Sequence, residues 1–209
     1  QKRRCRSCGL RLFWQYPLVE AGTALAFSFS SWILLQNLPL GSAALLWILV
    51  SFAGIGAAVV IIVSDVKFYL VPNGAVVLLV LLGITLSISR SMSSSWNLIF
   101  YDLGLALFFS LVPASLWAIS RGRWMGLGDA KLFFAVSLIV GFPGALASFL
   151  FSFWSGSIVA GILLFSGKKS LKERLPFAPF ILLGTALSLF WGEKFLNLLG
   201  ITELFLLML

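Results

Sequence analysis

Two aspartates occupy positions in which a pair of carboxylates could act as acid and base catalysts. Asp65 closes a long apolar run, and Asp129 ends the stretch Gly126-Leu127-Gly128-Asp129. The dipole of a helix disfavours an acid at its C-terminus by about 0.3–1 kcal/mol, so Asp65 needs another reason for its place. Two carboxylates held close together share one proton. One of them can then act as a general base toward a water, and the other as a general acid toward a peptide carbonyl.

Each aspartate also has an interpretation that involves no chemistry. Asp65 can be an acid at the membrane interface, paired with Lys67 or a nearby arginine. Asp129 can be the N-cap of a helix, whose N-terminus favours the ionised carboxylate. The glycines before Asp129 permit positive φ and close approach of other backbone. Each pattern is weak alone, so the catalytic hypothesis depends on both aspartates lying at one face of the membrane.

The residue types that the sequence lacks exclude several classes of catalytic mechanism. The sequence contains no histidine, which excludes Ser-His and Cys-His catalysis and the His-based zinc protease motif. A second acidic pair stays open, because Tyr101-Asp102 together with Asp129 imitates the YD and GxGD motifs of presenilin-like intramembrane proteases. We expect Asp102 near the other end of its helix, about 30 Å from Asp129, as an interfacial or helix-packing acid.

The elements that must position these aspartates are membrane-spanning helices. Of the 209 residues, 60% are hydrophobic and 11% are charged, whereas soluble domains carry about 25% charged residues. The apolar runs are continuous and do not alternate with period two, which favours helices over a barrel. We predict an all-α, polytopic integral membrane protein with about seven transmembrane helices. Their approximate limits are 17–37, 43–64, 73–89, 97–119, 129–142, 144–165 and 177–197.

The basic residues predict the orientation of these helices. Thirteen of the 15 lysines and arginines fall on the same side as the N-terminus, and only Arg90 and Lys194 fall on the other. The positive-inside rule makes the first side cytoplasmic. Asp65 and Asp129, two spans apart, are both predicted at this face. Orientation and anionic lipid headgroups account for the net charge of +8, so we predict a lipid membrane and no nucleic acid as its partner.

The order of the motifs resembles that of the type IV prepilin peptidases, the bacterial leader peptidases of pilus, competence and type II secretion systems. Four stretches carry the resemblance, over nearly the whole chain up to about Gly200. They are Cys5-Arg6-Ser7-Cys8 leading into Tyr16-Pro17-Leu18-Val19-Glu20; Asp65 with Val71-Pro72-Asn73; Gly126-Leu127-Gly128-Asp129-Ala130-Lys131; and Pro176-Phe177-Ala178-Pro179-Phe180. Each short motif is weak by itself, and the ordered set is specific.

The resemblance implies a membrane aspartic endopeptidase. Its catalytic residues would be Asp65 and Asp129, with Gly126, Gly128 and Lys131 as supporting residues of the motif. Its substrates would be prepilins or pseudopilins, which carry a short basic leader on an apolar transmembrane stem. The implied place of cleavage is the cytoplasmic face of the bacterial inner membrane. Proteolysis by two carboxylates needs no cofactor.

The N-terminal segment departs from the family's bifunctional members. Those members have two Cys-x-x-Cys pairs, which resemble a tetrahedral zinc site, and one earlier transmembrane helix. Many also methylate the new N-terminus with S-adenosylmethionine, a role for which Glu20 is a candidate residue here. Cys5 and Cys8 form half of such a zinc site. We therefore expect a truncated start with the upstream helix missing, and the resemblance leaves zinc binding and methyl transfer open.

The motifs also predict a division of the chain. We expect a cytoplasmic cysteine-containing segment over residues 1–16, a transmembrane aspartic peptidase domain over 17–200 and an apolar tail over 201–209. Two functions besides the prepilin peptidase stay open, as does a catalytically inactive scaffold. One is a presenilin-like intramembrane protease, and the other is a transporter or channel component in which intramembrane acids carry ions.

Overall fold

Seven α-helices make up the part of the chain that the structure, a computed structural model, describes: residues 15–37, 42–93, 95–167 and 175–200. In chain order they are α1 (Gln15–Asn37), α2 (Ser42–Phe68), α3 (Asn73–Ser93), α4 (Asn97–Ser120), α5 (Leu127–Val140), α6 (Gly144–Phe165) and α7 (Ala178–Leu198). These ranges contain no strand. The predicted all-α architecture is confirmed, and the observed helix ends lie within four residues of the predicted ones.

Five of these helices are long and apolar enough to cross a membrane, namely α1, α2, α3, α4 and α6. Their apolar segments of 20–24 residues extend about 30–36 Å, which matches a hydrocarbon core of about 30 Å. A helix satisfies its backbone hydrogen bonds within its own segment, as lipid requires. With 14 residues, α5 extends only about 21 Å, and it is not among the five. The chain is a multi-pass membrane protein.

The described residues up to Val59 form a compact unit, which includes α1 and the first part of α2. Within this unit Phe27 of α1 stacks on Phe52 of α2, with ring centroids 4.4 Å apart. An aromatic pair of this kind adds about 0.5–1.5 kcal/mol beyond the burial of its area. Glu20 has an exposed side chain. Because α1 begins at Gln15, Glu20 lies beyond the first turn of the helix.

The described residues from Val60 onward form the second unit, and α5 is its central helix. The neighbours of α5 are α3, α4, α6 and α7. Most of its side chains are buried, including Ala130, Leu132, Phe133, Ala135, Val136 and Leu138. A helix that is apolar all round belongs in such an interior. The short α5 is therefore covered by protein, whereas its neighbours expose large apolar side chains such as Leu111 and Ile158.

The pair α6 and α7 makes the most extensive contact between helices in this unit. Small residues allow their backbones to approach, as is typical of helices that associate in membranes. A Cβ atom at Gly184 of α7 would lie 2.6 Å from the backbone nitrogen of Ser152 and 2.7 Å from the carbonyl oxygen of Ser148. Nearby, the hydroxyl of Ser188 donates to the carbonyl of Gly144 at 2.7 Å.

This contact predicts that Gly184→Ala lowers the free energy of unfolding by about 1–3 kcal/mol, because the new methyl group would overlap backbone atoms of α6. The matched control is Gly161→Ala, since no heavy atom lies within 4 Å of the position that its Cβ would take. Thermal unfolding of the two purified variants in detergent measures the difference. Equal melting temperatures would contradict the close approach of α6 and α7 at Gly184.

Candidate active site

Asp65 lies in the last turn of α2 and is buried, with 6% of its surface exposed. Its Oδ2 accepts a hydrogen bond of 3.0 Å from the backbone N–H of Ala178. Because Ala178 is the first residue of α7, the carboxylate faces the positive end of the α7 dipole. This contact supplies the reason, missing from the sequence alone, for an acid at the C-terminus of α2.

The proline motif that begins α7 leaves this N–H in need of an acceptor. The first N–H groups of a helix have no partner within the helix. Pro179 has no N–H, and the N–H groups of Phe180 and Ile181 donate to the carbonyl of Phe177, at 3.0 and 3.2 Å. The N–H of Ala178 has no acceptor within this turn, and the α2 carboxylate accepts it; the backbone N–H of Phe177 also bonds to this carboxylate.

Asp129 lies in the first turn of α5 and is 8% exposed. The N–H of Gly126 donates to its Oδ2 at 3.2 Å, and the N–H of Asp129 donates to the carbonyl of Gly126, also at 3.2 Å. This reciprocal arrangement resembles a capping box, with glycine at the N-cap. The expectation that Asp129 itself is the N-cap is wrong, because it occupies the third helical position.

Burial governs the charge of Asp129, which lies outside the five candidate spans. Removal from water, and after it the nearby charge of Asp65, raise the pKa of Asp129 to about 7, while the hydrogen bond from Gly126 acts in the opposite direction. The helix dipole alone predicts an ionised carboxylate. The structure reverses this prediction, because the loss of hydration outweighs the favourable helix end. Asp129 therefore keeps its proton up to about pH 7.

The two glycines before Asp129 have different roles, and neither has a positive φ. A Cβ atom at Gly128 would lie 2.9 Å from the Cβ of Val71, so glycine is required for α5 to approach the segment between α2 and α3. Gly126 is extended, with φ −82° and ψ 147°. A Cβ atom there would lie 3.5 Å from Asp129 Oδ2, which is an ordinary contact. Close packing therefore requires Gly128 and tolerates a side chain at Gly126.

Lys131 joins α5 to the beginning of α3. Its Nζ donates to Oδ1 of Asn73, the first residue of α3, at 3.2 Å. Val71 and Asn73 belong to one short stretch of chain, so α5 contacts that stretch through both Gly128 and Lys131. These two contacts hold the first turn of α5 against the connection that follows Asp65.

Asp65 and Asp129 line one cavity of about 670 Å³. The segment after α2, the connection between α4 and α5, the first turn of α5 and the residues before α7 complete its wall. Other lining residues are Tyr69, Leu70, Val71, Asn73, Arg123, Trp124, Met125, Lys131, Phe153 and Phe177. Ligand sites usually have volumes of about 300–1,000 Å³. Two buried carboxylates in such a cavity can act as general base and general acid on a bound peptide.

Asp102 is not part of this site. It is 2% exposed and accepts a hydrogen bond of 2.7 Å from the N–H of Phe142, which follows the C-terminal end of α5. Asp129 lies at the opposite end of this 14-residue helix, about 20 Å away. This separation rules out the pair of Asp102 and Asp129 that the presenilin-like hypothesis requires. The expectation of a helix-packing acid agrees with the contacts of Asp102.

The remaining candidate residues bear on methyl transfer and zinc. Cys5 and Cys8 lie outside the described residues, and the proposed half-site stays a prediction. So does the methyl-transfer role of Glu20, which lies on α1. Within the described ranges no group of three or more Cys, His, Asp or Glu side chains is arranged to hold a metal ion. The apolar tail over 201–209 is also outside these ranges.

Two partners of the site were missed by reasoning from side-chain types, namely the N–H of Ala178 and the side chain of Val71. Pro179 is a sequence signal for the N–H of Ala178, because a proline near the start of a helix predicts unsatisfied backbone N–H groups beside it. Nothing in the sequence directs that N–H to Asp65, 113 positions earlier. The partner of Gly128 is likewise a tertiary contact that leaves no local pattern.

Comparison with known proteins gives similarity over most of the chain. The model of the type IV leader peptidase family matches residues 52–161, a range that includes both aspartates. Three relatives are each named prepilin leader peptidase/N-methyltransferase. The relative from Bacillus subtilis (strain 168) is 30% identical, over 94% of this chain and 74% of its own. The relative from Legionella pneumophila is 27% identical, over 93% and 65%, and that from Pseudomonas aeruginosa is 26% identical, over 91% and 63%. No solved structure matches the chain.

We expect Gly128→Ala to move the first turn of α5 away from the segment after α2, because a methyl group does not fit beside Val71. The free energy of unfolding should fall by about 1–3 kcal/mol. The pKa of Asp129 should also fall below about 7, since the carboxyl moves toward water and away from Asp65. Thermal unfolding in detergent and infrared titration of the protonated carboxyl measure the two effects.

The matched control is Gly126→Ala, whose new side chain finds room. It should cost less than about 1 kcal/mol, because alanine is only a poorer N-cap than glycine. If both variants lose the same stability and shift the titration equally, the contact between Gly128 and Val71 does not hold α5 in place.

Proposed function

The chain belongs to the type IV leader peptidase family, and from this premise we propose that it removes the leader of prepilin-like proteins with Asp65 and Asp129 as its catalytic pair. The observation that carries the proposal is that both buried carboxylates line one cavity. Membership of a peptidase family also favours peptide hydrolysis over the transporter or channel that the sequence leaves open.

In the proposed mechanism, Asp129 enters the reaction protonated and Asp65 enters it ionised. Asp65 accepts a proton from the attacking water, while Asp129 donates its proton to the oxygen of the scissile carbonyl. When the tetrahedral intermediate collapses, Asp65 gives its proton to the leaving amine and Asp129 recovers a proton from the hydroxyl group. The N–H of Ala178 keeps the Asp65 carboxylate oriented throughout. No metal or organic cofactor takes part in these steps.

The proposed substrate is a prepilin or pseudopilin with a short basic leader and an apolar stem. The cavity offers an aromatic wall at Phe153 and Phe177 and exposed backbone near Gly126, where an extended leader can pair with the chain. The enzyme carries a net charge of +8 and does not attract a basic leader. Lateral diffusion of the membrane-anchored stem therefore dominates the encounter, and the leader charge orients the substrate.

The proposed location is the bacterial inner membrane, with the cavity at the cytoplasmic face. Basic residues support this orientation, because Lys67 follows Asp65 by two positions, and Arg123 and Lys131 line the cavity. Arg90 lies at the opposite end of α3 from the cavity. An excess of positive charge marks the cytoplasmic side of a membrane protein.

Methyl transfer is a separate proposal, because the printed names of the relatives include an N-methyltransferase and the chain spans only about two thirds to three quarters of their length. The activity would use S-adenosylmethionine and involve Glu20, with zinc held by Cys5, Cys8 and further ligands. Transfer of a labelled methyl group to a cleaved prepilin tests it. Its absence would leave the peptidase proposal intact, since the two carboxylates need neither group.

The peptidase proposal predicts that Asp65→Asn and Asp129→Asn each reduce kcat by at least about 10²–10⁴-fold, because each removes one proton-transfer group. The double variant should be no worse than either single one, since members of one catalytic unit are not additive. Cleavage of a full-length prepilin by the detergent-solubilised enzyme measures these rates. Glu193→Gln, at an exposed acid of α7, is the control that should cleave like the unmodified chain.

Near-isosteric replacement should leave the fold intact, and thermal unfolding of each variant checks this. A folded Asp65→Asn or Asp129→Asn enzyme that cleaves at the normal rate would remove that residue from the catalytic pair. Additive losses in the double variant would mean that the two carboxylates act independently.

The pKa of Asp129 also predicts the pH dependence of cleavage. Because this pKa is raised from 3.8 to about 7, the required proton is present below pH 7 and is lost above it. We expect kcat to fall about tenfold for each pH unit above about 7. Leader lysines titrate only near pH 10.4 and do not interfere. A rate that rises between pH 7 and 9 would show that Asp129 is not the general acid.

A further inference from the structure

A charged cluster at the far end of α5, buried except for the Arg90 side chain, which is 34% exposed, takes no part in the proposed chemistry. We call Ser87, Arg90 and Asp102 the far-end clamp. Nη2 of Arg90 and Oδ2 of Asp102 form an ion pair of 2.9 Å, and the hydroxyl of Ser87 donates to the same Oδ2 at 2.6 Å. Ser87 and Asp102 are almost completely buried. The positive-inside rule predicts Arg90 on the outer side, and the guanidinium of Arg90 is turned toward the carbonyls of α5.

The clamp holds the C-terminal end of α5 through Arg90. Nη1 donates to the carbonyl of Ile139 at 2.9 Å, and Nη2 donates to the carbonyl of Leu138 at 2.7 Å. The last carbonyls of a helix lack partners within it, and a cation there suits the dipole. A Cβ atom at Gly141, where φ is +74°, would lie 2.6 Å from Nη2. The chain after α5 therefore passes directly against the guanidinium.

Asp102 holds the turn that follows α5. Its Oδ1 accepts the N–H of Phe142 at 2.7 Å, while its Oδ2 faces Arg90. The three side chains of the clamp come from α3 and α4. These directional bonds consequently fix the end of α5 against two other helices, along the helix axis as well as across it.

We infer that Ser87, Arg90 and Asp102 are positioning residues for Asp129, which hold α5 at one axial position along α3. A hydrogen-bonded helix transmits an axial shift from one end to the other. Asp129 would move by the same distance as the carbonyls that Arg90 holds. This inference rests on the catalytic role proposed for Asp129.

The contacts at the near end of α5 do not fix this position by themselves. The pair of Lys131 and Asn73 is exposed, and exposed polar pairs contribute little to stability. The contact of Gly128 with Val71 is apolar and has no preferred direction. The hydrogen bonds of the clamp are partly or fully buried and do have a preferred direction. A displacement of about 1 Å at a catalytic group can cost about 10²-fold in rate.

The test begins with Asp102→Asn, which keeps an acceptor for the N–H of Phe142 and removes the charge that faces Arg90. We expect kcat to fall by about 10–100-fold while KM stays within about twofold, because the substrate contacts are distant. The descending limb of kcat against pH should move to lower pH as Asp129 separates from Asp65. Ser87→Ala should also lower kcat and move the descending limb to lower pH, but by smaller amounts than Asp102→Asn. Ser110→Ala is the matched control, since its hydroxyl donates to the carbonyl of Leu107 in its own helix.

Two outcomes overturn the inference. One is a folded Asp102→Asn enzyme with unchanged kcat and pH profile. The other is a loss of kcat that equals the loss of folded protein, with the pH profile unchanged, because a purely structural role would produce it.

A second measurement separates this inference from the proposed function. Asn73→Cys and Lys131→Cys are combined in a chain with Cys5→Ser and Cys8→Ser, and cross-linking of the two thiols by a short bifunctional thiol reagent reports the position of α5 along α3. Adding Asp102→Asn should remove most of the cross-linked product. If the unmodified chain cleaves no prepilin, the proposed function fails and the cross-link still tests the clamp. If Asp102→Asn does not reduce the cross-linking, the inference that the clamp positions α5 is wrong.

Discussion

The hydrogen bond from the N–H of Ala178 to the carboxylate of Asp65 is the contact on which the geometry of the cavity depends. It joins the end of α2 to the beginning of α7, so that one bond satisfies a helix terminus and orients a carboxylate that lines the cavity. Leaving such a buried donor without a partner costs about 1–3 kcal/mol. Stability and the proposed catalysis therefore both depend on this carboxylate, and a substitution at Asp65 that removes the hydrogen-bond acceptor affects both.

The second carboxylate is controlled by two opposing effects. Asp129 also lies at a helix N-terminus, that of α5, so two positive helix ends meet one cavity. Favourable helix ends stabilise the charged form of an acid, and burial beside another acid disfavours it. At Asp129 burial is the larger effect, which brings its pKa to about 7. A pair in which one acid keeps its proton near neutral pH can act as base and acid in the same step.

The sequence predicts the helices well because continuous apolar runs and their interruptions determine where a chain can cross lipid. The limits of α6 agree to the residue, since Pro143 and Gly144 mark its start. Because the helices are uniformly hydrophobic, the sequence does not indicate which helix packs against which. The inward turn of Arg90 toward the carbonyls of Leu138 and Ile139 was therefore missed. The two glycines before Asp129 indicate that another part of the chain approaches closely there. Which glycine makes the contact depends on Val71, a tertiary neighbour that the motif does not identify.

The short, buried α5 has a consequence for how the protein meets different lipids. Helices that face lipid tilt or deform the bilayer when their apolar length differs from its thickness. Because α5 lies among α3, α4, α6 and α7, it has little contact with acyl chains and does not experience this mismatch directly. The depth of Asp129 is consequently set by neighbouring protein. Thicker or thinner membranes would change the tilt of the outer helices more than the separation of the two carboxylates.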